Sequence, residues 1–315
     1  MRRSRRVPSR HHHARKALPL TRGLTPGEAS RPLAGYMAAL PQSVPGTKLA
    51  KLQKAYKNLS FLNSPASRHI RILCEYEEPR ARFREQDVRD TIVVFGSARV
   101  KSPEAAATAV AAAHAGGDSA ATKQADHALR LSRYYADTRE LARRLTEWSV
   151  ARSAAQRHFL ICTGGGPGIM EAANRGAADV PGGRNVGLGI SLPFEEELNP
   201  YVTPELGFEF HYFFMRKYWF AYLAKAMVIM PGGFGTFDEM AEVLTLRQTK
   251  KITKPLPMVL YGSDYWDEVL NIPAMVRWGT ISEKDLDLMH RSDTVDDAFT
   301  FLTAALEAAE AEAHK

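Results

Sequence analysis

Several features that define large classes of protein are scarce or absent in this 315-residue chain. It contains only two cysteines, Cys74 and Cys162, which are too few for a disulfide framework or a four-cysteine zinc site. No run of 18 or more apolar residues occurs, because the apolar stretch 213–230 is interrupted by Arg216 and Lys217. The sequence therefore predicts neither a disulfide-rich secreted domain nor a transmembrane helix, and a reducing cytoplasm is the simplest location.

The excess of positive charge is confined to the start of the chain. The formal net charge is +7, but residues 1–31 hold nine Arg or Lys side chains and a single acid, Glu28. Residues 32–315 then hold 33 basic and 34 acidic side chains, a net charge of −1. Such a tail adds a weak, salt-dependent attraction to polyanions and does not predict a folded nucleic-acid reader. Its Arg-rich, acid-poor composition also resembles an organelle transit peptide, which stays an alternative.

Three regions differ in pattern. Residues 1–45 are rich in Arg, Pro, Gly and Ser and are predicted to be a disordered basic tail. Residues 46–88 are predicted to form a helical extension, because apolar residues recur there at three- and four-residue spacing. These residues are Leu49, Leu52, Tyr56, Leu59 and Leu62 on one helix face, then Ile70, Leu73 and Tyr76 in a second short helix. Residues 89–315 are predicted to be the main folded domain.

Strands and helices alternate along residues 89–315. Short apolar runs predict strands at 91–95, 159–162, 185–191, 208–212, 226–230 and 258–261. Helices are predicted at 102–115, 121–150, 168–178, 212–224, 235–249, 263–272, 282–289 and 294–311. This alternation predicts an α/β fold, a Rossmann-like doubly wound parallel sheet with helices on both faces. Ligands of such folds bind at the carboxyl ends of the strands.

Two glycine-rich turns each follow a predicted strand and open a predicted helix. The first is 164–168, followed by Ile169 and Met170, and the second is 231–235. Bare backbone N–H groups at the positive end of a helix dipole suit a phosphate. Neither turn is followed by the lysine of a Walker loop, and Ile169 stands where a dinucleotide motif needs its third glycine. A triphosphate kinase and an NAD enzyme are therefore both disfavoured.

An acid and two cations accompany the turns. Glu239 is predicted in the first turn of the helix after the second glycine turn, whereas Asp238 points about 100° away around that helix. Arg216 and Lys217 lie on the preceding predicted helix. Taken alone, the acid would only complement the helix dipole, and the two basic residues would be solvent-exposed side chains without a specific role. Beside two glycine turns, Glu239 and Arg216 become the candidate reactive groups.

These residues together resemble the paired signature of the LOG (LONELY GUY) family of cytokinin riboside 5′-monophosphate phosphoribohydrolases, often labelled lysine decarboxylases. The pattern Pro-Gly-Gly-x-Gly-Thr-x-x-Glu matches at every fixed position from Pro231 to Glu239, and Met-Arg-Lys stands at 215–217. The first turn and its continuation at 171–177 resemble the larger, type II-like branch. The resemblance covers roughly 90–275 and leaves residues 1–85 and an Ala-rich insertion near 105–125 unexplained.

The resemblance implies a Rossmann-like homodimer, or a higher even homo-oligomer. It would hydrolyse the N-glycosidic bond of a purine nucleoside 5′-monophosphate, of adenine type and with or without an N6-prenyl group, to free base and ribose 5-phosphate. By matching position, Arg216 and Glu239 would be the catalytic pair. The nucleotide-binding residues would be Ser97, Gly165, Gly166, Met170, Lys217, Gly232, Gly233, Gly235, Thr236 and Thr245. No cofactor, metal, membrane or specific nucleic acid is expected.

The chemistry of these residue types agrees with that reading. Breaking a ribosyl C–N bond builds positive charge on the sugar, which a nearby carboxylate stabilises. A decarboxylase would need pyridoxal phosphate on a Schiff-base lysine, and the sequence singles out no such lysine. Two alternatives stay open, a non-catalytic nucleotide-binding or cofactor-carrier protein and a nucleic-acid-binding protein that uses its tail. The preferred base, whether adenine, a prenylated adenine or guanine, also stays open.

Overall fold

The computed structural model describes residues 53–153, 156, 158–192 and 197–313. The tail predicted at 1–45, together with Leu49 and Leu52 of the predicted extension, lies outside the described residues. The chain divides into two compact units, Met1–Arg71 and Ile72–Lys315. In the described ranges, no helix has both the length and the apolar character needed to cross a membrane.

The described part of the first unit is a series of short turns. Helix α1, Leu59–Leu62, lies between the 3₁₀ turns Ala55–Lys57 and Pro65–Ser67. Asn58 caps α1, accepting from the backbone N–H of Phe61 at 3.1 Å. The prediction of one apolar helix face is wrong over these residues, because the caps and Pro65 interrupt the helix and leave Leu59 69% exposed. Helix α2, Arg68–Glu85, is 18 residues long and replaces the short second helix predicted there.

Seven strands of the described residues form one parallel sheet in the order β4-β3-β2-β1-β5-β6-β7. Their bounds are β1 Asp90–Phe95, β2 Phe159–Thr163, β3 Asn185–Ile190, β4 Gly207–Phe210, β5 Ala224–Ile229, β6 Met258–Tyr261 and β7 His290–Ser292. The first six of these strands were predicted, and each end agrees to within two residues. The seventh was missed because it has three residues, of which only Ser292 is buried, and so shows no apolar run.

The remaining helices connect the strands. Their bounds are α3 Pro103–Gly116, α4 Ser119–Val150, α5 Ile169–Ala178, α6 Phe213–Leu223, α7 Phe234–Gln248, α8 Ser263–Val269, α9 Ile272–Arg277 and α10 Val295–Ala313. The Ala-rich insertion is α3 and the start of α4, and Gly117 in the left-handed region (φ 68°) breaks the two helices apart. The predicted helix at 282–289 is instead the 3₁₀ helix Glu283–Leu288.

Helices cover both faces of the sheet. Val93 and Phe95 of β1 belong to an apolar layer with α2, α6 and α7, whereas Ile92 and Val94 belong to a layer with α4, α5 and α10. This alternation follows from the two-residue period of a strand. The predicted α/β, Rossmann-like fold class is confirmed. The strand order reverses between β1 and β5, which places the ligand crevice of a doubly wound sheet at their carboxyl ends.

Candidate active site

A cavity of about 790 Å³ opens at the carboxyl ends of β1 and β5. Its walls are the loop after β1, both glycine turns, the ends of β3 and β4, and the first turns of α6 and α7. Tyr265 and Val269 of α8 and Leu131 of α4 close one side. The site therefore occupies the position that the strand order predicts for a ligand in this class of sheet.

The first glycine turn is held from behind by buried amides. The side-chain amide of Asn199 donates to the carbonyls of Gly165 and Gly166, each at 3.0 Å. The backbone N–H of Gly165 donates to Thr163 Oγ1 at 2.9 Å. Thr163 Oγ1 in turn donates to Asn174 Oδ1 at 2.7 Å. This network fixes the shape of the turn and leaves Gly164 and Gly166 on the cavity wall.

The second glycine turn has an open and a packed side. A Cβ at Gly232 would lie 2.1 Å from Thr236 Oγ1, so this position admits no side chain. A Cβ at Gly233 or Gly235 would meet no atom within 4 Å, because both positions face open space in the cavity mouth. The hydroxyl of Tyr265 donates to the carbonyl of Gly232 at 2.8 Å and fixes the turn to α8.

Ser97 joins the two turns. Its backbone N–H donates to the carbonyl of Pro231 at 3.0 Å, and its own carbonyl accepts from the N–H of Ile169 at 3.1 Å. Gly168 lies against this segment with a φ of +70°. A Cβ at this position would lie 2.4 Å from the Ser97 carbonyl oxygen, which is too close. Any other residue at Gly168 would combine an unfavourable backbone conformation with a clash. One backbone segment thus sets the distance between both turns.

Glu239 and Arg216 meet on the wall of this cavity. Glu239 is buried, with 6% of its surface exposed, and its Oε1 lies 3.8 Å from Nη2 of Arg216. The Arg216 guanidinium lies over the rings of Phe213 and Phe220, at 5.2 Å and 5.7 Å from their centroids. The two rings hold the cation beside the carboxyl through cation–π contacts.

The acidity of Glu239 is shifted by its surroundings. Burial raises the pKa of the Glu239 carboxyl to about 7, because desolvation penalises the charged form. The positive charges of Lys217 and Arg216 act in the opposite direction and lower this pKa, whereas the neighbouring Glu242 and Asp238 raise it. A carboxyl that titrates near neutrality in a cleft is a typical acid–base group of an active site.

The predicted site residues divide into two groups. Nine of them line the cavity: Ser97, Gly166, Met170, Arg216, Gly232, Gly233, Gly235, Thr236 and Glu239. Gly165, Lys217 and Thr245 do not. The N–H of Gly165 is already donated to Thr163, and the exposed Thr245 donates its hydroxyl to the carbonyl of Ala241 at 2.8 Å.

Lys217 lies beside the cavity wall and does not line it. Its Nζ contacts Asp238 at 2.8 Å and Glu242 at 2.7 Å, both on α7. These contacts connect the helix that carries Arg216 to the helix that carries Glu239. Direct binding of nucleotide by Lys217, Gly165 or Thr245 stays a prediction.

Several lining residues were not predicted from the sequence. They are Arg99, Leu131, Glu209 and Tyr265, with Glu197 and Leu198 after β3. For Arg99 the available signal was its position in a turn directly after a strand. Tyr265 and Asn199 carry no local signal, because only the packing of distant segments brings them to the turns.

The fold and the site together define an α/β protein with a carboxyl and a guanidinium in a cleft between two glycine turns. The model of the family described as "Possible lysine decarboxylase" matches residues 170–302, which include Arg216, Glu239 and the second turn. This match over residues 170–302 confirms the family resemblance recognised from the sequence.

Comparison with whole proteins adds little. No curated protein matches the sequence. Among solved structures, the molybdenum cofactor binding protein from the phototrophic bacterium Rippkaea orientalis is similar at 14% sequence identity, over 54% of this chain and 86% of that chain. The TM-score of that likeness is 0.38, and at this value it supports no conclusion about function.

Proposed function

We propose that this protein hydrolyses the N-glycosidic bond of a purine nucleoside 5′-monophosphate, of adenine type, to free base and ribose 5-phosphate. The observation that carries the proposal is that the carboxyl of Glu239 shares one cavity with Arg216 and with two glycine turns. The family match over residues 170–302 supports an enzyme of this family.

The cavity wall provides a site for each part of such a substrate. The N–H groups of the second turn, at the start of α7, suit the 5′-phosphate. Apolar side chains, among them Met170, Leu198 and Phe220, form a surface on which a flat base can lie. Glu239 lines the same cavity as both regions, as a group that acts on the ribose requires.

The reaction needs water, a carboxylate and a departing base. As the C1′–N bond breaks, positive charge develops on the ribose, and the Glu239 carboxylate stabilises it. The carboxylate also accepts a proton from the water whose oxygen bonds to C1′, while the base leaves with the electron pair of the C1′–N bond. The base then takes up that proton from Glu239, directly or through water, and the carboxylate is regenerated. Arg216, fixed between two aromatic rings, orients the carboxylate.

The decarboxylase label fits the cavity less well. A pyridoxal phosphate enzyme binds its cofactor through a lysine, and none of the described residues that line this cavity is a lysine. Lys217, the nearest candidate in sequence, contacts two carboxylates of α7. The chemistry of the lining residues therefore favours hydrolysis.

The homodimer implied by the family resemblance is part of the proposal. Two aromatic residues of α6 are largely exposed: Phe214 has 51% of its surface exposed and Tyr222 has 58%. Exposed aromatic residues are enriched in protein interfaces, so these residues support association with a second copy of the chain.

Base release tests the proposal directly. The full-length protein is incubated with AMP, an N6-prenylated AMP, GMP and CMP, and free base is measured by chromatography. We expect release from AMP or N6-prenylated AMP, and we expect Glu239→Gln to lower the rate about 10²- to 10⁴-fold, the usual cost of losing such a group.

The matched control is Glu268→Gln, which removes an exposed carboxyl that does not line the cavity. It should leave the rate unchanged. Failure of the wild-type protein to release base from every monophosphate, with intact AMP recovered after saturable binding, would instead establish the non-catalytic binding protein.

A further inference from the structure

Arg99 lies where the loop after β1 meets both glycine turns. Its backbone N–H donates to Ser97 Oγ at 3.1 Å, and Ser97 is hydrogen-bonded to Pro231 in one turn and to Ile169 after the other. Arg99 is among the residues that line the cavity, and it is exposed to solvent. The fold thus carries an exposed arginine on the loop that joins the two turns.

The charges that line the cavity leave Arg99 as the cation available to an anion. Its described lining residues include three carboxyl groups, on Glu197, Glu209 and Glu239, and two guanidinium groups, on Arg99 and Arg216. Arg216 faces the carboxyl of Glu239 at 3.8 Å. Among the described residues, the Arg99 side chain makes no ion pair and no hydrogen bond.

A phosphate dianion in this cavity needs such a cation. Backbone N–H groups of a glycine turn supply geometry and partial charge, but the surrounding carboxylates oppose a second negative charge. Arginine binds phosphate oxygens in a bidentate manner through its planar fork of donors, which a point-charge lysine does not. Lys217, the other cation near the site, already contacts Asp238 and Glu242.

We propose that Arg99 binds the terminal phosphate of the substrate and makes the site selective for phosphomonoesters over free nucleosides. This inference rests on the proposed function, since it assigns the phosphate subsite of the same cavity. It extends that function by one residue that neither glycine turn contains, and it places the phosphate between the second turn and the loop after β1.

The test measures phosphate binding separately from release of the base. Binding of ribose 5-phosphate and inorganic phosphate is measured by calorimetry, and kcat/KM is measured for AMP and for adenosine, with wild-type protein, Arg99→Gln and Arg99→Lys. We expect Arg99→Gln to weaken ribose 5-phosphate binding and to lower kcat/KM for AMP about tenfold to a hundredfold, the usual range for a lost charged hydrogen bond. Values for adenosine should not change, and Arg99→Lys should recover part of the loss.

The matched control is Lys101→Gln, which removes the same charge from an exposed neighbour outside the cavity. Equal losses in Lys101→Gln and Arg99→Gln, or equal losses for AMP and adenosine, overturn the assignment. Arg99-dependent binding of ribose 5-phosphate by a protein that releases no base supports the phosphate site and refutes the proposed reaction. Base release that is unaffected by Arg99→Gln supports the proposed reaction and refutes the phosphate site. A wild-type protein that binds no phosphate ester refutes both the phosphate site and the reaction.

Discussion

Glu239 shows how a buried residue acquires a chemical role from its neighbours. It is held in the first turns of α7 with 6% exposure, and Arg216 and Lys217 approach it from α6. Asp238 and Glu242 share α7 with it, so two cations and two acids surround one carboxyl. Lys217 contacts both of those acids and lowers the pKa of Glu239 at the same time.

Lys217 is therefore expected to set the pH range of activity. If the Glu239 carboxylate is the active form, kcat/KM rises with pH through the pKa of the free enzyme. Lys217→Met removes a positive charge, so it should raise that pKa and move the rising limb to higher pH. With the pKa near 7, kcat/KM at pH 7 should fall about fivefold for the first unit of pKa change. The pH–rate profile checks this.

Lys217→Arg provides the conservative comparison, because it keeps the charge and should keep the profile. A profile of Lys217→Met that falls in height at every pH without moving along the pH axis would show that Lys217 acts only on structure.

The elements that form the site are each fixed by a contact from another element. Helix α7 begins at the second glycine turn, and α8 holds that turn through the hydroxyl of Tyr265 at 2.8 Å from the Gly232 carbonyl. The ring of Tyr265 packs edge-on against Trp266, with centroids 5.1 Å apart. The N–H groups of this turn, to which we assign the phosphate, thus depend on a side chain that follows them by more than thirty positions.

Tyr265→Phe should loosen this turn without emptying the space beside it. Loss of one hydrogen bond costs about 0.5–1.5 kcal/mol, so we expect KM for AMP to rise about twofold to twelvefold while kcat changes little. Steady-state kinetics measure both. Tyr56→Phe removes an exposed hydroxyl outside the cavity and is the control. Equal effects of the two substitutions would contradict a role for Tyr265 in holding the turn.

At the scale of the whole molecule, an ionised buried carboxyl lowers the free energy of unfolding. The pKa of Glu239 is about 7 in the folded protein and close to 4.5 in the unfolded chain. Because the folded pKa is the higher one, the folded state binds more protons between these values. Protonation of Glu239 therefore stabilises the folded state relative to the ionised form. This contribution to the free energy of unfolding is fully present below pH 4.5 and is lost as the pH rises through about 7.

Glu239→Gln should remove this dependence. The difference in unfolding free energy, variant minus wild type, is expected to increase by ~3 kcal/mol between pH 4.5 and pH 8, since each pKa unit corresponds to about 1.4 kcal/mol. Urea denaturation of both proteins across this range measures it, with Glu268→Gln as control. A difference that stays constant with pH would show that Glu239 is not raised in pKa.

The sequence determined the elements and the chemistry that each one carries. Ser102 before Pro103 predicts the start of α3, and its hydroxyl does accept from the N–H of Ala105 at 3.2 Å. Apolar runs predict the first six strands, because a strand buried on both faces needs apolar residues on both. The glycine turns, Arg216 and Glu239 are visible as a motif.

Only the tertiary structure decided which side chains meet. Ser97 contacts Pro231 and Ile169, Asn199 holds the first turn, and Tyr265 holds the second, across separations that no local pattern encodes. The physical reason is that periodicity and capping act within a few residues, whereas the order and register of the sheet set distances between remote loops. That order brings Arg99 to the cavity and turns Lys217 toward the acids of α7.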